Sequence, residues 1–285
     1  MDFDRWLKVF KSQKELEDRY FPKKSRKLIN TGNKPVIVLF TADWHIGSKY
    51  VDHEKLFLDL KSLTEYSVDD VRIITVGDLC DNFPVSFPSA EPVHGFISPQ
   101  LQEELLSELL QLVGPYIDGS TWGNHEAFSE RLVGYSNVSK ILSKITTFFN
   151  GKGTIEYVVG KQKYRIHVSH IFRGSSMYHD LHCNIRAWME THADIVVSAH
   201  THTPAYLGDF RGIDGEGNPQ ERHLIKVGSY KGGDTFSSRY FKSGIIGNNC
   251  VVLYPDRHKI THFFTLEEAI QFLGLKKKSK SVKKK

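Results

Sequence analysis

The sequence has no run approaching ~18 uninterrupted apolar residues, the length that a membrane-spanning helix needs. Its N-terminus, "MDFDRWLKVFKSQKELEDRY", also lacks the apolar stretch behind a basic start that marks a secretory signal. The expectation is an intracellular, cytoplasmic chain with no membrane attachment. Cysteine is scarce: Cys80, Cys183 and Cys250 stand far apart and never at CxxC spacing, which argues against a disulfide framework and a zinc ribbon. Internal repeats are absent. So is an excess of positive charge in the body of the chain: the net charge is +5, but residues 276–285, "KKKSKSVKKK", hold seven lysines, and without them the balance is −2. That tail is too hydrophilic to fold; it reads as a disordered, solvated end, with loose attraction to polyanions as the alternative.

What is present is ordinary for a globular protein: 285 residues, 40 % hydrophobic and 25 % charged, enough for a substantial core without covalent staples. Residues 1–33 mix lysine, glutamate and scattered aromatics and read as a peripheral helical segment. Residues 34–274 form the folded domain, and 275–285 the basic tail. Apolar β-branched runs at Val36–Phe40 and Val71–Val76 each break off at a polar cluster, and "SPQLQEELLSELLQLV" (98–113) has the apolar spacing and the serine-proline start of a helix. The intervening stretch, 82–97, holds three prolines and reads as an irregular loop bordering a pocket. Later segments alternate like half-buried strands, among them "YRIHVSH" (164–170), "HLIKVG", "CVVLYP" and "HKITHFF". Strands followed by helices early and antiparallel-looking strands late predict an α/β fold, a two-sheet β-sandwich flanked by helices.

Polar residues recur behind the apolar runs. Asp43 and His45 follow "VIVLF", Asp78 follows "VRIITVG", Asn124 and His125 lie in "TWGNHE", His170 closes "YRIHVSH", and His200 and His202 follow "DIVVSA". Loops at one edge of an α/β sheet system converge, so these residues are candidates for a single cluster. Carboxylate, imidazole and amide without thiolate suit harder divalent ions such as manganese, iron or zinc.

The order D-x-H, G-D-x-x-D, G-N-H-E, a lone histidine after a strand, and x-H-x-H resembles the calcineurin-like metallophosphoesterase superfamily across residues 36–202. The last block departs from the usual G-H-x-H, with Ala199 in place of glycine. The resemblance implies that Asp43, His45 and His202 bind one metal, that Asn124, His170 and His200 bind the other, and that Asp78 bridges both. Two such cations ~3.5–4 Å apart would turn a shared water into hydroxide and stabilise an in-line displacement on phosphorus. Mn2+ is the first choice, with Fe, Zn, Ni or Mg as alternatives. His125 resembles the family's non-ligand histidine, which protonates the leaving oxygen or stabilises the transition state. Asp81 either caps a turn or orients a ligand, and Glu126 supports the loop of Asn124 by hydrogen bonds. His167 competes with His170 for the ligand position. His179 and His182 could approach the pocket from a helix start, whereas His53, His94, His192, His258 and His262 are read as ordinary loop or surface histidines.

Within the superfamily, "TADWHIG" and "GDLCDN" are most similar to the blocks of SbcD-like DNA-repair exonucleases, which ranks a DNA nuclease first. Glu126 stands where those enzymes usually carry aspartate, and the short stretch after "LEEAIQFLG" leads to the expectation that their partner-binding C-terminal region has no counterpart. The alternatives are a phosphodiesterase of small nucleotides, or a phosphomonoesterase or protein phosphatase. The last ranks low because no arginine follows Asp81. A non-catalytic scaffold and a nucleic-acid-binding module working through the lysine tail rank lower still.

Overall fold

The run "VIVLFT" forms strand β2 (Val36–Thr41), and every residue of it is buried, the pattern of a strand covered on both faces. In this computed structural model, which describes residues 3–20, 26–82, 97–174, 176, 178–213, 219–232 and 247–278, two six-stranded sheets pack face to face. In the first, β2 lies between β3 (Val71–Thr75), with which it is parallel, and β11 (Asn249–Leu253), with which it is antiparallel. That sheet is completed by β4 (Ile117–Thr121) and β5 (Thr147–Phe149) beyond β3 and by β12 (Ile260–Phe263) beyond β11. The second sheet runs in the order β1 (Arg26–Asn30), β6 (Lys152–Val159), β7 (Gln162–Ser169), β8 (Ile195–Ser198), β10 (Pro219–Lys226) and β9 (Ala205–Ile213). The expected two-sheet architecture with flanking helices is what the chain adopts.

Strand periodicity divides the core. Val38, Phe40, Ile74 and Val76 point from the first sheet onto Ile155, Tyr157, Ile166, Val168, Val197 and Ile225 of the second. The alternate residues Ile37, Leu39 and Ile73 face helices α2 (His53–Leu63), α3 (Pro99–Val113), α5 (Asn137–Ile145) and α7 (Leu266–Leu273). Helix α6 (His182–Thr191) covers the outer face of the second sheet. Helix α3 begins where the sequence predicts: the Ser98 hydroxyl caps Leu101 N with Pro99 in the first turn, and Leu106, Leu110 and Val113 bury one face. Each of those buried side chains contributes ~1.5–3 kcal/mol.

The N-terminal expectation needs correcting. Helix α1 (Phe3–Tyr20) is present, but Arg26–Asn30 is a strand that pairs in parallel with β6, not part of a helical segment. Five residues with two charges carry too little periodicity to declare a strand, and this one is fixed by distant partners: Arg26 pairs with Glu156, and Lys27 Nζ donates to the Asp118 carbonyl at 2.6 Å. The core of the proline-rich loop (83–96), His94 and tail residues 279–285 lie outside the described residues.

Polar contacts pin one sheet to the other at Asp118 of β4. Arg72 of β3 makes a two-pronged pair with its carboxylate, and the buried Tyr157 hydroxyl of β6 donates to the same group at 2.8 Å. Asp118→Ala would leave the phenol and the half-buried guanidinium without their acceptor. Urea unfolding should show a loss of ~2–4 kcal/mol, partly recovered in Asp118→Ala/Tyr157→Phe. A loss within ~0.5 kcal/mol, as at an ordinary surface position, would contradict this role.

Candidate metal centre

The pairing of β2 with β3 does not stop at the strand ends. Asp43 N donates to Gly77 O, His45 N to Asp78 O, Ile46 N to Leu79 O and Asp81 N to Ile46 O, all at 3.0–3.1 Å, so the two loops run on side by side. Within them Asp43 and His45 join the polar cluster, while Trp44 goes into the helix-facing core with its indole N–H on Thr41 Oγ1 at 2.7 Å. The loops after β7 and β8 meet this pair: Ala199 N donates to His170 O, and His200 N to Asp43 Oδ2 at 3.0 Å.

Left-handed backbone marks the same loops. Asp43 (φ 50°), His45 (φ 43°), Asp78 (φ 53°), Asn82 (φ 45°), His200 (φ 76°) and His202 (φ 55°) all have positive φ without being glycine. Each costs ~1–2 kcal/mol relative to ordinary backbone. Such residues gather where the surroundings enforce an unfavourable shape for a purpose.

Two groups of donor atoms result. Asp43, His45 and His202 form one, and Asp78, His170 and His200 the other, with Asn124 beside the second. In the first, His45 Nε2 lies 3.2 Å from His202 Nε2, and Asp43 Oδ1 lies 3.4 Å from His202 Nε2 and 3.7 Å from His45 Nε2. In the second, His170 Nε2 lies 3.0 Å from both Asp78 Oδ2 and Asn124 Oδ1. A metal with ~2.1 Å bonds to such ligands has ligand-to-ligand edges of ~3.0–3.4 Å, so the donors are spaced as one ion would require. Two observations make the fit chemical as well as geometric. Asp43 Oδ1 is buried with no hydrogen-bond partner, and His170 Nδ1 already donates to Val76 O at 2.7 Å while its Nε2 faces two further oxygens. These atoms suit a divalent cation.

Orienting contacts surround the donors. His45 Nδ1 lies 3.2 Å from Asp81 Oδ1, although off-line for a hydrogen bond, and this carboxylate position favours the orienting role for Asp81 over a simple turn cap. Glu126 accepts from Gly123 N and Asp78 N through Oε2 and from Leu79 N through Oε1, at 2.9–3.1 Å, thereby tying the start of helix α4 (Asn124–Val133) to the Asp78 loop. His125 N donates to Asp78 Oδ1 at 2.9 Å. Gly123 permits this approach: a Cβ there would fall 2.1 Å from Asp78 Oδ1. The His125 ring meets the Asp81 carbonyl through Nδ1, which places the proton on Nδ1 and makes Nε2 the ring's acceptor.

Four contributors have little signal in the sequence. Asn82 donates its amide to His125 O at 2.8 Å and to Ser129 Oγ at 2.7 Å, fixing the His125 segment. Gln102 of α3 accepts from Asn82 N through Oε1 at 2.8 Å and donates through Nε2 to Ile97 O at 3.1 Å. Lys231 and Ser229 reach the centre from the segment after β10; a glycine and serine behind a buried strand, "VGSYK", is the one hint, because it repeats the strand-end placement of the other loops. His167 stays apart, bonded to Thr154 Oγ1 at 3.0 Å, so His170 is the histidine that reaches the cluster. His179 is exposed and His182 opens α6, and neither belongs to the clusters found among the described residues. His53 accepts from Gly47 N, His192 ends α6, His258 pairs with Asp194 and His262 bonds Asn249.

The charges interlock. Burial and the Lys231 ammonium oppose protonation of His45, but Asp43, Asp81 and Asp78 prevail and push it up to about 9. Burial likewise opposes a charge on His170, and Asp78 with Asp43 pushes it up to about 10. His125 and His200 are pushed down to about 4, chiefly by burial. Burial, reinforced by Asp78, raises Glu126 to about 7. Asp43 and Asp78 are held well below the usual carboxylate range, since neighbouring imidazoles more than reverse the effect of burial. His45 and His170 therefore each hold a proton at neutral pH that an incoming cation must displace. Metal affinity should rise as pH increases from ~6 to ~8, by up to ~100-fold per unit where both protons leave. Calorimetry in buffers of different ionisation enthalpy would read the released protons; pH-independent binding without release would rule this linkage out.

The family model described as calcineurin-like phosphoesterase matches residues 37–204. No curated protein matches the chain. Among solved structures, vacuolar protein sorting 29 from Cryptosporidium parvum is similar at 11 % identity, with 82 % of this chain and 100 % of that one covered and a TM-score of 0.46. Wild-type Vps29 complexed with zinc, from Entamoeba histolytica, gives 12 % identity, 80 % and 99 % coverage and a TM-score of 0.40. A conserved uncharacterised protein from Streptococcus pneumoniae, described as a predicted phosphoesterase, gives 13 %, 81 % and 98 %, with a TM-score of 0.36. These likenesses are weak and have no bearing on activity. The family match is different in kind, because it spans more than half of the chain and includes every donor from Asp43 to His202; the chain belongs to the calcineurin-like phosphoesterase family.

Proposed function

We propose that the chain is a divalent-metal-dependent phosphodiester hydrolase with a dinuclear centre, and that its substrate is DNA. The observation that carries the metal-dependent chemistry is the pair of donor clusters standing side by side, with His170 Nε2 4.0 Å from Asp43 Oδ1 of the other cluster. Asp43, His45 and His202 would hold one ion; Asn124, His170 and His200 would hold the second; Asp78 would serve both. The thiolate-free donor set supports manganese as the first metal to test. Bound ions would supply charge to offset the phosphate and would acidify water for attack on phosphorus. The choice of DNA rests on the likeness of "TADWHIG" and "GDLCDN" to the blocks of SbcD-like exonucleases.

The chain's own groups then have defined tasks. Asp81 and the Val76 carbonyl orient the His45 and His170 rings. Glu126 and the His125 amide hold Asp78 in place. His125, buried and kept neutral, presents Nε2 4.0 Å from Asp78 Oδ2, at the edge of the cluster where a substrate oxygen would lie. There Nε2, once it has taken up a proton from solvent, can pass it to the departing oxygen.

Manganese-loaded protein should cleave bis-p-nitrophenyl phosphate and linear DNA. Asp78→Ala should lose metal and activity together, whereas His125→Ala should keep its metal and lose ~10²–10⁴-fold in turnover. Cleavage of the small diester alone would move the substrate to nucleotides, and cleavage of neither would end the proposal.

A further inference from the structure

The segment Gly228–Lys231 lies beyond the residues that the family model matches, yet it braces the centre from the neighbouring sheet. Ser229 Oγ and Tyr230 N both donate to the Asp43 carbonyl, at 2.9 and 3.3 Å, and Lys231 N donates to Ser229 Oγ at 2.8 Å. A bridge between Val51 and Lys231 and a bond from Gly232 N to Tyr50 O fix the backbone on the other side. From this mount the Lys231 side chain, 5 % exposed, brings its ammonium 3.4 Å from Asp81 Oδ1.

That oxygen is the one facing His45 Nδ1, and it also lies 4.0 Å from His125 Nδ1. His45, Asp81 and His125 are spaced closely enough to hold a cation themselves, a third grouping beside the two described above. An ammonium at the carboxylate supplies positive charge there. Burying a lysine is costly unless the charge is paired, so its placement 3.4 Å from the Asp81 carboxylate constrains both groups. Lysine is suited to this task, because a compact point charge can neutralise the carboxylate while leaving room for an imidazole N–H on the same oxygen.

We infer that Lys231 is a positioning residue of the metal centre: its ammonium holds the Asp81 carboxylate 3.2 Å from His45 Nδ1, and the charge there keeps the ring turned so that His45 Nε2 faces Asp43 and His202. The inference rests on the metal-binding part of the proposed function and not on the identity of the substrate. It makes the two ions unequal, since only the Asp43–His45–His202 cluster depends on this arm.

Metal content and chelator-competition affinity for Mn2+ would be measured on the full chain as wild type, Lys231→Met, Lys231→Arg, Asp81→Ala and Asp81→Ala/Lys231→Met, with thermal melting of each metal-free protein as the check on folding. Lys231→Met should weaken one of two ions ~10–100-fold and leave the other unchanged, and Lys231→Arg should recover part of the loss. In the Asp81→Ala background Lys231→Met should add nothing. Unchanged affinity in Lys231→Met, equal weakening of both ions, or additive losses would each overturn the inference. Should Lys231→Met fail to fold, the double variant, which removes both charges, is compared with Asp81→Ala: equal affinities support the inference, and a further loss in the double variant overturns it. A wild type that binds no divalent ion would remove the metal reading itself, a result distinct from a two-ion wild type that Lys231→Met merely matches.

Discussion

Three carboxylates, those of Asp43, Asp78 and Asp81, are buried together at one edge of the sandwich, and the rest of the site is arranged around offsetting their charge. Desolvating a carboxylate costs several kcal/mol, so such a cluster would not persist without positive partners and hydrogen-bond donors. Imidazoles line one side, the Lys231 ammonium stands behind Asp81, and amides at the start of α4 and in the loop of His200 donate to Asp78 and Asp43. Protonated His45 and His170 balance part of the charge in the metal-free protein. Such a centre is preorganised for cations, because folding has already gathered the anions against their mutual repulsion.

The sheets make that gathering possible. Left-handed backbone at five of the seven expected ligands is unfavourable locally, and it is held by continued pairing of the β2 and β3 loops beyond the strands. Asp118 pins the two sheets together through Arg72 and Tyr157, and the close approach of α4 to the Asp78 loop depends on the bare backbone of Gly123. Stability of the core thereby maintains the strained geometry of the edge.

Much of this was legible in the chain because the informative residues are local signals. Buried runs such as "VIVLF" and "DIVVS" read directly as strands, and each ligand stands within a few residues of a strand end. The helix Pro99–Val113 declared both its cap and its apolar face. The misses share a cause. β1 is too short and charged to show a period, and β9 is interrupted by Gly208 and Asp209, so each is defined by the strand beside it rather than by its own pattern. Lys231 and Asp81 are separated by 150 positions, and nothing in "SYKGG" says that its lysine turns inward. Asn82 and Gln102 are ordinary polar residues until the fold places them against backbone groups.

Gln102 has an effect that reaches beyond the centre. One side-chain amide grips Asn82 N with its oxygen and Ile97 O with its nitrogen, so both ends of the intervening stretch are fastened to α3 at a single point. Because the cost of closing a loop grows only slowly with its length, a segment anchored in this way can be lengthened, shortened or recomposed with little strain on its footings. A change at Gln102 would therefore reach both footings of that stretch, Asn82 beside the His125 segment and Ile97 at the start of α3, at once.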